Sequence, residues 1–145
     1  MGGLRPPPLF GAYMSSRIQT NMVELLTNQS ITNNTNTDTT WWDVSGWQNK
    51  KVIWECDSSG TPSITITAHV SPYPVYYLNN SITPTTEHYY SVTIVSAATG
   101  KTMVEYDEDD VAEMGKAWKS VRFNVANGNG AGDVTGGYLR ILGDS

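Results

Sequence analysis

Two hydrophobic patterns divide the chain. From residue 41 onward apolar and polar residues alternate with a period of two. Val52, Trp54 and Cys56 share one face of residues 50–57, and Ile64, Ile66, Ala68 and Val70 oppose Ser63, Thr65, Thr67 and His69. The turn-forming DSSGTP of residues 57–62 lies between these runs and predicts an antiparallel hairpin. Further strand-like runs occupy residues 73–78, 89–97, 101–107, 119–125 and 136–142; Pro72 and Pro74 make the first an edge or irregular strand. Within residues 109–118, Asp110 and Glu113 predict a helix of one or two turns, limited by Gly115. NGNGAGD, residues 127–133, reads as a hairpin loop into the last strand. About seven short strands with turn signals between them specify an all-β fold: an antiparallel β-sandwich, jelly-roll or immunoglobulin-like. Its expected core includes Val52, Trp54, Ile64, Ile66, Val92, Ile94, Val121 and Phe123.

Upstream, the pattern differs. Pro6, Pro7 and Pro8, flanked by Gly2, Gly3 and Gly11, favour extended polyproline-like backbone. Ile18, Met22, Leu25 and Leu26 recur at helix-like spacing behind a Ser16/Gln19 capping box, which predicts a short amphipathic helix, with a strand as the alternative. Residues 27–40 hold one apolar side chain, Ile31, and read as a linker. The expected organisation is therefore an extended N-terminal arm and linker over residues 1–40 and a sandwich over 41–145. Leu4, Leu9, Phe10, Ile18, Met22, Leu25 and Leu26 are the arm's candidate partner-binding anchors.

Composition narrows the function. Of the 145 residues 39% are hydrophobic and only 16% charged, so Ser, Thr, Asn and Gly must build the surface, as suits an extracellular or virion protein. The net charge of −5 disfavours a phosphate-binding face, and no nucleic acid partner is expected. No apolar run approaches a signal peptide or a membrane span, so no membrane association is expected. Cys56 is the sole cysteine; it excludes an intrachain disulfide and, from its inward face, reads as an inert thiol. Three N-x-S/T sequons, beginning at Asn28, Asn33 and Asn79, arise readily in an Asn/Thr-rich chain and carry little weight.

Catalytic chemistry has few candidates. His69 lies on the polar face of its run and His88 beside Glu87; both read as surface histidines, and no nucleophile, metalloprotease or nucleotide-binding signature accompanies them. No enzyme activity, cofactor or metal is expected. Asp107–Asp110 lacks the spacing of a calcium loop and reads as a solvated, helix-capping run, while Asn127, Asn129 and Asp133 fit turn geometry better than a calcium site. The aromatic residues offer more. Trp41, Trp42, Trp47, Tyr73, Tyr76, Tyr77, Tyr89 and Tyr90 could stack on sugars, with Trp41, Trp42, Tyr76 and Tyr77 as the candidate glycan-binding rings. Alternation sends Trp41 and Trp42 to opposite faces, so one of them and Trp47 are expected to pack while the other stays exposed.

The series VSGWQNKKVIWECDSSGTPSITITAHVS, YYSVTIVSAATGK and AWKSVRFNVANGNGAGDVTGGYLRIL resembles small β-sandwich structural proteins of tailed bacteriophages. There a Trp-x-x-Val/Arg-x-x-Val strand precedes a Gly/Asn-rich loop and the terminal strand, and Trp118, Val121, Arg122 and Val125 occupy that run here. The resemblance spans residues 41–142. It implies a non-enzymatic virion protein, a capsid decoration or cement protein with capsid or other virion proteins as partners. It also implies homo-oligomers, commonly trimers, and arms lying across a shell. The alternative is a carbohydrate-binding module of a tail or fibre engaging host glycans.

Overall fold

The structure, a computed structural model, describes residues 19–105, 119–128 and 131–145. Nine strands and one short helix follow the order β1 (Thr20–Ile31), β2 (Thr35–Asp38), β3 (Trp42–Asp43), β4 (Gln48–Ser59), β5 (Ile64–Ser71), α1 (Val75–Asn80), β6 (Tyr90–Ala98), β7 (Thr102–Glu105), β8 (Ser120–Asn127) and β9 (Asp133–Asp144). They form two antiparallel sheets, β1-β9-β4-β7 and β2-β8-β5-β6, with β3 continuing the β2 edge along β8. The expected all-β sandwich is thus observed. Apart from β3, each of the chain steps β1–β2, β4–β5, β6–β7 and β8–β9 changes sheet, which is the double-sheet wrapping of a jelly roll.

That wrapping corrects two sequence expectations. Residues 50–57 and 63–70 do not form a hairpin: β4 and β5 lie in opposite sheets. The 127–133 segment likewise crosses between sheets. The two crossings lie side by side, with Ala131 N–H donating to the Thr61 carbonyl at 2.9 Å. Gly60, at φ +75°, and Gly132 sit where a Cβ on either would strike the other crossing's backbone. Pro62 lacks the N–H a hairpin ladder would need.

Between the sheets pack Val52 and Trp54 of β4, Ile64, Ile66, Ala68 and Val70 of β5, Val121, Phe123 and Val125 of β8, and Leu139 and Ile141 of β9. The predicted period-two faces therefore hold in β4, β5 and β8. In β6 Val92 and Ile94 pack only partly, and Val95 is buried instead. The cause is a bulge: Ile66 pairs with Val95 but Thr67 with Thr93, so Ile94 is an extra residue that shifts the face. Large and small residues also interlock. A Cβ on Gly137 would lie 2.5 Å from Cη2 of the fully buried Trp54, and one on Gly143 would lie 2.7 Å from Cε3 of Trp47.

The helix and linker expected over residues 16–40 are not what residues 20–38 form. Residues 20–31 pair with β9, and 35–38 with β8. Val23 and Leu25 turn toward the core while Met22 and Glu24 face out, and register shifts along β1 bring Leu26 and Ile31 inside. Helical spacing here is a bulged alternation. The polar Asn and Thr residues suit an edge strand, whose outer face remains in water. The sandwich thus includes residues 20–38, which the boundary at residue 40 had left outside it. Residues 73–78 are corrected as well. After Pro72 and Pro74 block a ladder, Val75–Asn80 winds into α1, held to the body by the buried Leu78. The helix expected over 109–118 lies outside the described residues.

Across the outer face of the first sheet, Arg140 joins Glu24 and Glu55, each at 3.1 Å, and Glu55 meets Lys101 at 3.0 Å. Lys101, then Arg140, holds the Glu55 carboxyl below its ordinary range. Exposed pairs of this kind contribute little individually, and this ladder fixes register across β1, β9 and β4 more than it adds stability.

Candidate functional site: an aromatic end of the sandwich

The β2–β3 edge is interrupted at residues 39–41. Thr39 N–H donates to the Phe123 carbonyl at 2.8 Å, and Thr39 Oγ1 accepts the Phe123 N–H at 3.0 Å, replacing a ladder carbonyl with a hydroxyl. The break turns Trp41 onto the outer face of the second sheet. There His69 and Arg122 are direct cross-strand partners, and Arg122 Nε donates to His69 Nδ1 at 2.9 Å. The guanidinium carbon lies 4.9 Å from the Trp41 ring centre and 5.2 Å from that of Tyr89, and Tyr89 stacks on His69 at 4.3 Å. His69 is 8% exposed rather than a surface histidine. Burial, then the Arg122 charge, lowers its pKa against a weaker opposing effect of Asp38, which lies 3.9 Å from Arg122. With Nδ1 accepting a hydrogen bond, the neutral ring carries its proton on Nε2. The cluster is a small second core, and its imidazole is engaged in packing.

Beside this cluster, the β5–β6 connection builds an open hollow of about 540 Å³ lined by Pro72, Tyr73, Thr86, Glu87, His88, Tyr89, Tyr90 and Ser91. Local bonds hold its walls. Ser71 Oγ donates to the His88 carbonyl at 2.7 Å and accepts the Tyr73 N–H at 3.1 Å, while Ser120 Oγ donates to the Tyr73 carbonyl at 2.7 Å. Both serines are fully buried, so their hydroxyls act as fixed struts. His88 Nδ1 accepts the Thr85 N–H at 3.0 Å, which leaves Nε2 to carry the proton of the neutral ring. Tyr73 stacks on Tyr77 at 5.4 Å and meets the His88 ring edge-on at 5.6 Å. Tyr76, Tyr90 and Tyr73 are 69%, 56% and 39% exposed, a concentration of aromatic surface at one end of the body. The arrangement offers ring faces, an imidazole N–H and the Glu87 carboxylate: a surface for stacking and hydrogen bonding.

No protein-family model and no curated protein sequence matches the chain. Among solved structures it is similar to the SPBc2 prophage-derived protein YomS, at 9% identity over 90% of this chain and 96% of that chain, with a TM-score of 0.51. It is similar, too, to VP2 in the infectious bursal disease virus subviral particle, at 7% identity over 88% of this chain and 33% of that one, with a TM-score of 0.52. The likeness is one of fold. The chain spans about a third of the VP2 chain.

Of the candidate glycan-binding rings, Trp41 is 4% exposed and covered by Arg122 and Tyr89, so it is no stacking platform. Trp42 is 40% exposed, and Trp47 packs against the core and Gly143, which is the division expected of the three tryptophans. Tyr76 is open, and Tyr77 is half-buried against Tyr73. Of the arm anchors, Leu26 belongs to the core, Leu25 packs against it and Met22 is 63% exposed. Leu4, Leu9, Phe10 and Ile18 lie outside the described residues, as do Asp107–Asp110, Trp118 and Asn129. Asn127 and Asp133 serve the fold: Asp133 Oδ1 accepts the Asn33 N–H at 2.7 Å, and the Asn127 side chain is buried. No cluster of three or more His, Cys, Asp or Glu side chains suited to a metal occurs among the described residues. Cys56 is half-buried, and burial pushes its thiol pKa up, away from reactivity. Tyr73, Tyr89 and Tyr90 stand in the sequence among the rings able to stack on sugars, yet lie outside the four candidate glycan-binding rings. Their common signal was a Pro-flanked break in alternation between two strands, a connection long enough to build a wall.

Proposed function

We propose that the protein is a non-enzymatic virion structural protein of the capsid decoration or cement type. Its sandwich packs as a homo-oligomer, a trimer by the phage resemblance, and the segment before β1 anchors it to capsid or other virion proteins. The observation that carries this reading is the jelly-roll strand order, an architecture recurrent in viral capsid and lectin domains, together with the fold-level likeness to a prophage-derived protein and to the VP2 of a subviral particle. Fold alone does not assign function, so the test must be assembly. In this reading Leu4, Leu9, Phe10, Ile18 and the exposed Met22 are anchors, while Leu25 and Leu26 stabilise the body that carries them. Burying one such anchor is worth about 1.5–3 kcal/mol, and the three prolines, whose φ is already fixed, leave less backbone entropy to lose around Leu4 and Leu9. Deleting residues 1–18 leaves β1 whole. The shortened protein should fold yet lose at least about tenfold in affinity for shells of the virus that encodes it, the equivalent of one lost anchor, read as reduced occupancy at sub-saturating concentration. Full occupancy after deletion would refute the anchoring role.

A second reading rests on the exposed Trp42, Tyr73, Tyr76 and Tyr90: a module that engages host surface glycans by ring stacking. Titration with bacterial polysaccharides would then quench Trp42 saturably, and Trp42→Ala would abolish the response.

A further inference from the structure

We propose that the tyrosine hollow is the docking site of the chain's own Arg5-Pro6-Pro7-Pro8 segment. Aromatic-lined grooves take polyproline helices because flat proline rings fit between aromatic rings and little backbone entropy remains to be lost. The hollow supplies Tyr73, Tyr89 and Tyr90 for that purpose, with Tyr73 fixed by its stack on Tyr77. Charge fixes the direction. Glu87 on the wall is an exposed carboxylate, and Arg5, immediately before the three prolines, is a cation that can pair with it.

The path of the chain makes the docking reachable. Gln19 exchanges two backbone hydrogen bonds with Ser145, at 3.1 and 2.9 Å, beside the Gln48–Asp144 pair that begins β4. From there Val44 bonds to the Lys119 carbonyl and Lys119 to the Ser71 carbonyl, at 2.9 and 3.0 Å, and Ser71 holds the His88 wall. The start of β1 and the hollow therefore share one end of the sandwich. Ten residues, 9–18, connect Pro8 to Gln19. Extended, they span up to about 33 Å, more than the sheet separation of about 10 Å plus the three strand spacings of about 4.8 Å each that separate the β1 edge from the β6 edge. A tether of that length keeps the segment at a high effective concentration near its own hollow, which favours docking within one chain over docking on a second copy. The inference does not rest on the virion reading, since it concerns the isolated subunit.

The test uses the full chain with Leu9→p-benzoylphenylalanine, irradiated at low protein concentration and mapped by mass spectrometry. The expected product is an adduct of monomer mass joining residue 9 to residues 72–91. Glu87→Arg should lower its yield about threefold to fivefold, the scale of a partly exposed ion pair, and adding Arg5→Glu should restore it. Replacing Pro6, Pro7 and Pro8 together by Ala should also lower it. Adducts scattered over the body, a covalent dimer as the main product, or a yield indifferent to Glu87→Arg would each overturn the proposal.

Discussion

Asn127→Ala should cost about 2–5 kcal/mol of folding stability, although it deletes only a small polar group. Asn127 is fully buried where both sheet crossings meet the β1–β2 corner. Its Nδ2 donates to the Ile31 carbonyl at 3.1 Å and the Gly132 carbonyl at 3.0 Å, and its Oδ1 accepts the Ser63 N–H at 3.1 Å. One side chain thus ties together β1, the start of β5 and the segment entering β9. Alanine leaves three backbone groups without these partners. The Ile31 carbonyl is deeply buried and carries a full penalty of about 1–3 kcal/mol, whereas the other two lie nearer water and lose about 0.5–1 kcal/mol each. Urea denaturation followed by tryptophan fluorescence should show a lower midpoint with an unchanged slope. Asn127→Asp is the sharper companion: it retains the acceptor for Ser63 but turns a carboxylate toward two carbonyl oxygens, so it should be at least as damaging. A loss below about 0.5 kcal/mol in Asn127→Ala would refute the reasoning, because it would mean that the three groups find other partners without strain.

Gly137→Ala should destabilise by about 1–3 kcal/mol in the same assay, since its Cβ would press on the buried Trp54 ring, and Trp54→Phe in the same chain should recover part of the loss. Because His69 has a pKa lowered by burial and Arg122, the unfolded chain binds a proton more readily than the folded one as pH falls below about 6.5. Stability should therefore fall with acidification through and below that value until the folded-state pKa is reached, and His69→Gln should flatten this part of the profile. An identical pH profile in the variant would show that the imidazole is not the cause. Arg122→Met should keep the fold but uncover the aromatic cluster, read as a red-shifted, more quenchable Trp41 emission.

The sandwich was legible because β4, β5 and β8 each bury one face against the other sheet, and half-burial writes a period of two into sequence. Pairing was not legible. A turn-forming segment such as 57–62 can close a hairpin or cross between sheets with the same residues, and the decision is made by long-range contacts such as Gly60 against Ala131. β1 was misread because its register shifts move the buried face from Val23 and Leu25 to Leu26, which mimics helical spacing. The site was legible as a supply of aromatic rings and illegible as an arrangement. Nothing local marks Trp41 as buried: the cover comes from Arg122 and Tyr89, distant in sequence and brought together by β5 and β8.

The two ends of the sandwich carry different burdens. At one, the β4–β5 and β8–β9 crossings touch backbone to backbone at Gly60 and Gly132, and Asn127 bolts them to Ile31, so side chains there have little freedom to change. At the other, the connection after β5 leaves the ladder at Pro72, winds through α1 and returns as the wall of the hollow, fixed from beneath by Ser71 and Ser120. Those two serines hold backbone carbonyls, not the rings above them. Substitutions at the exposed Tyr73, Tyr76 and Tyr90 can therefore alter what the surface binds at less cost to the fold than at Tyr89, which packs on His69 and Trp41. Gln19, where the segment before β1 joins the body, is at this same end. If the segment before β1 docks in the hollow as proposed, the two are coupled: whatever occupies the hollow competes with that segment for it, and whatever captures the segment leaves the rings open.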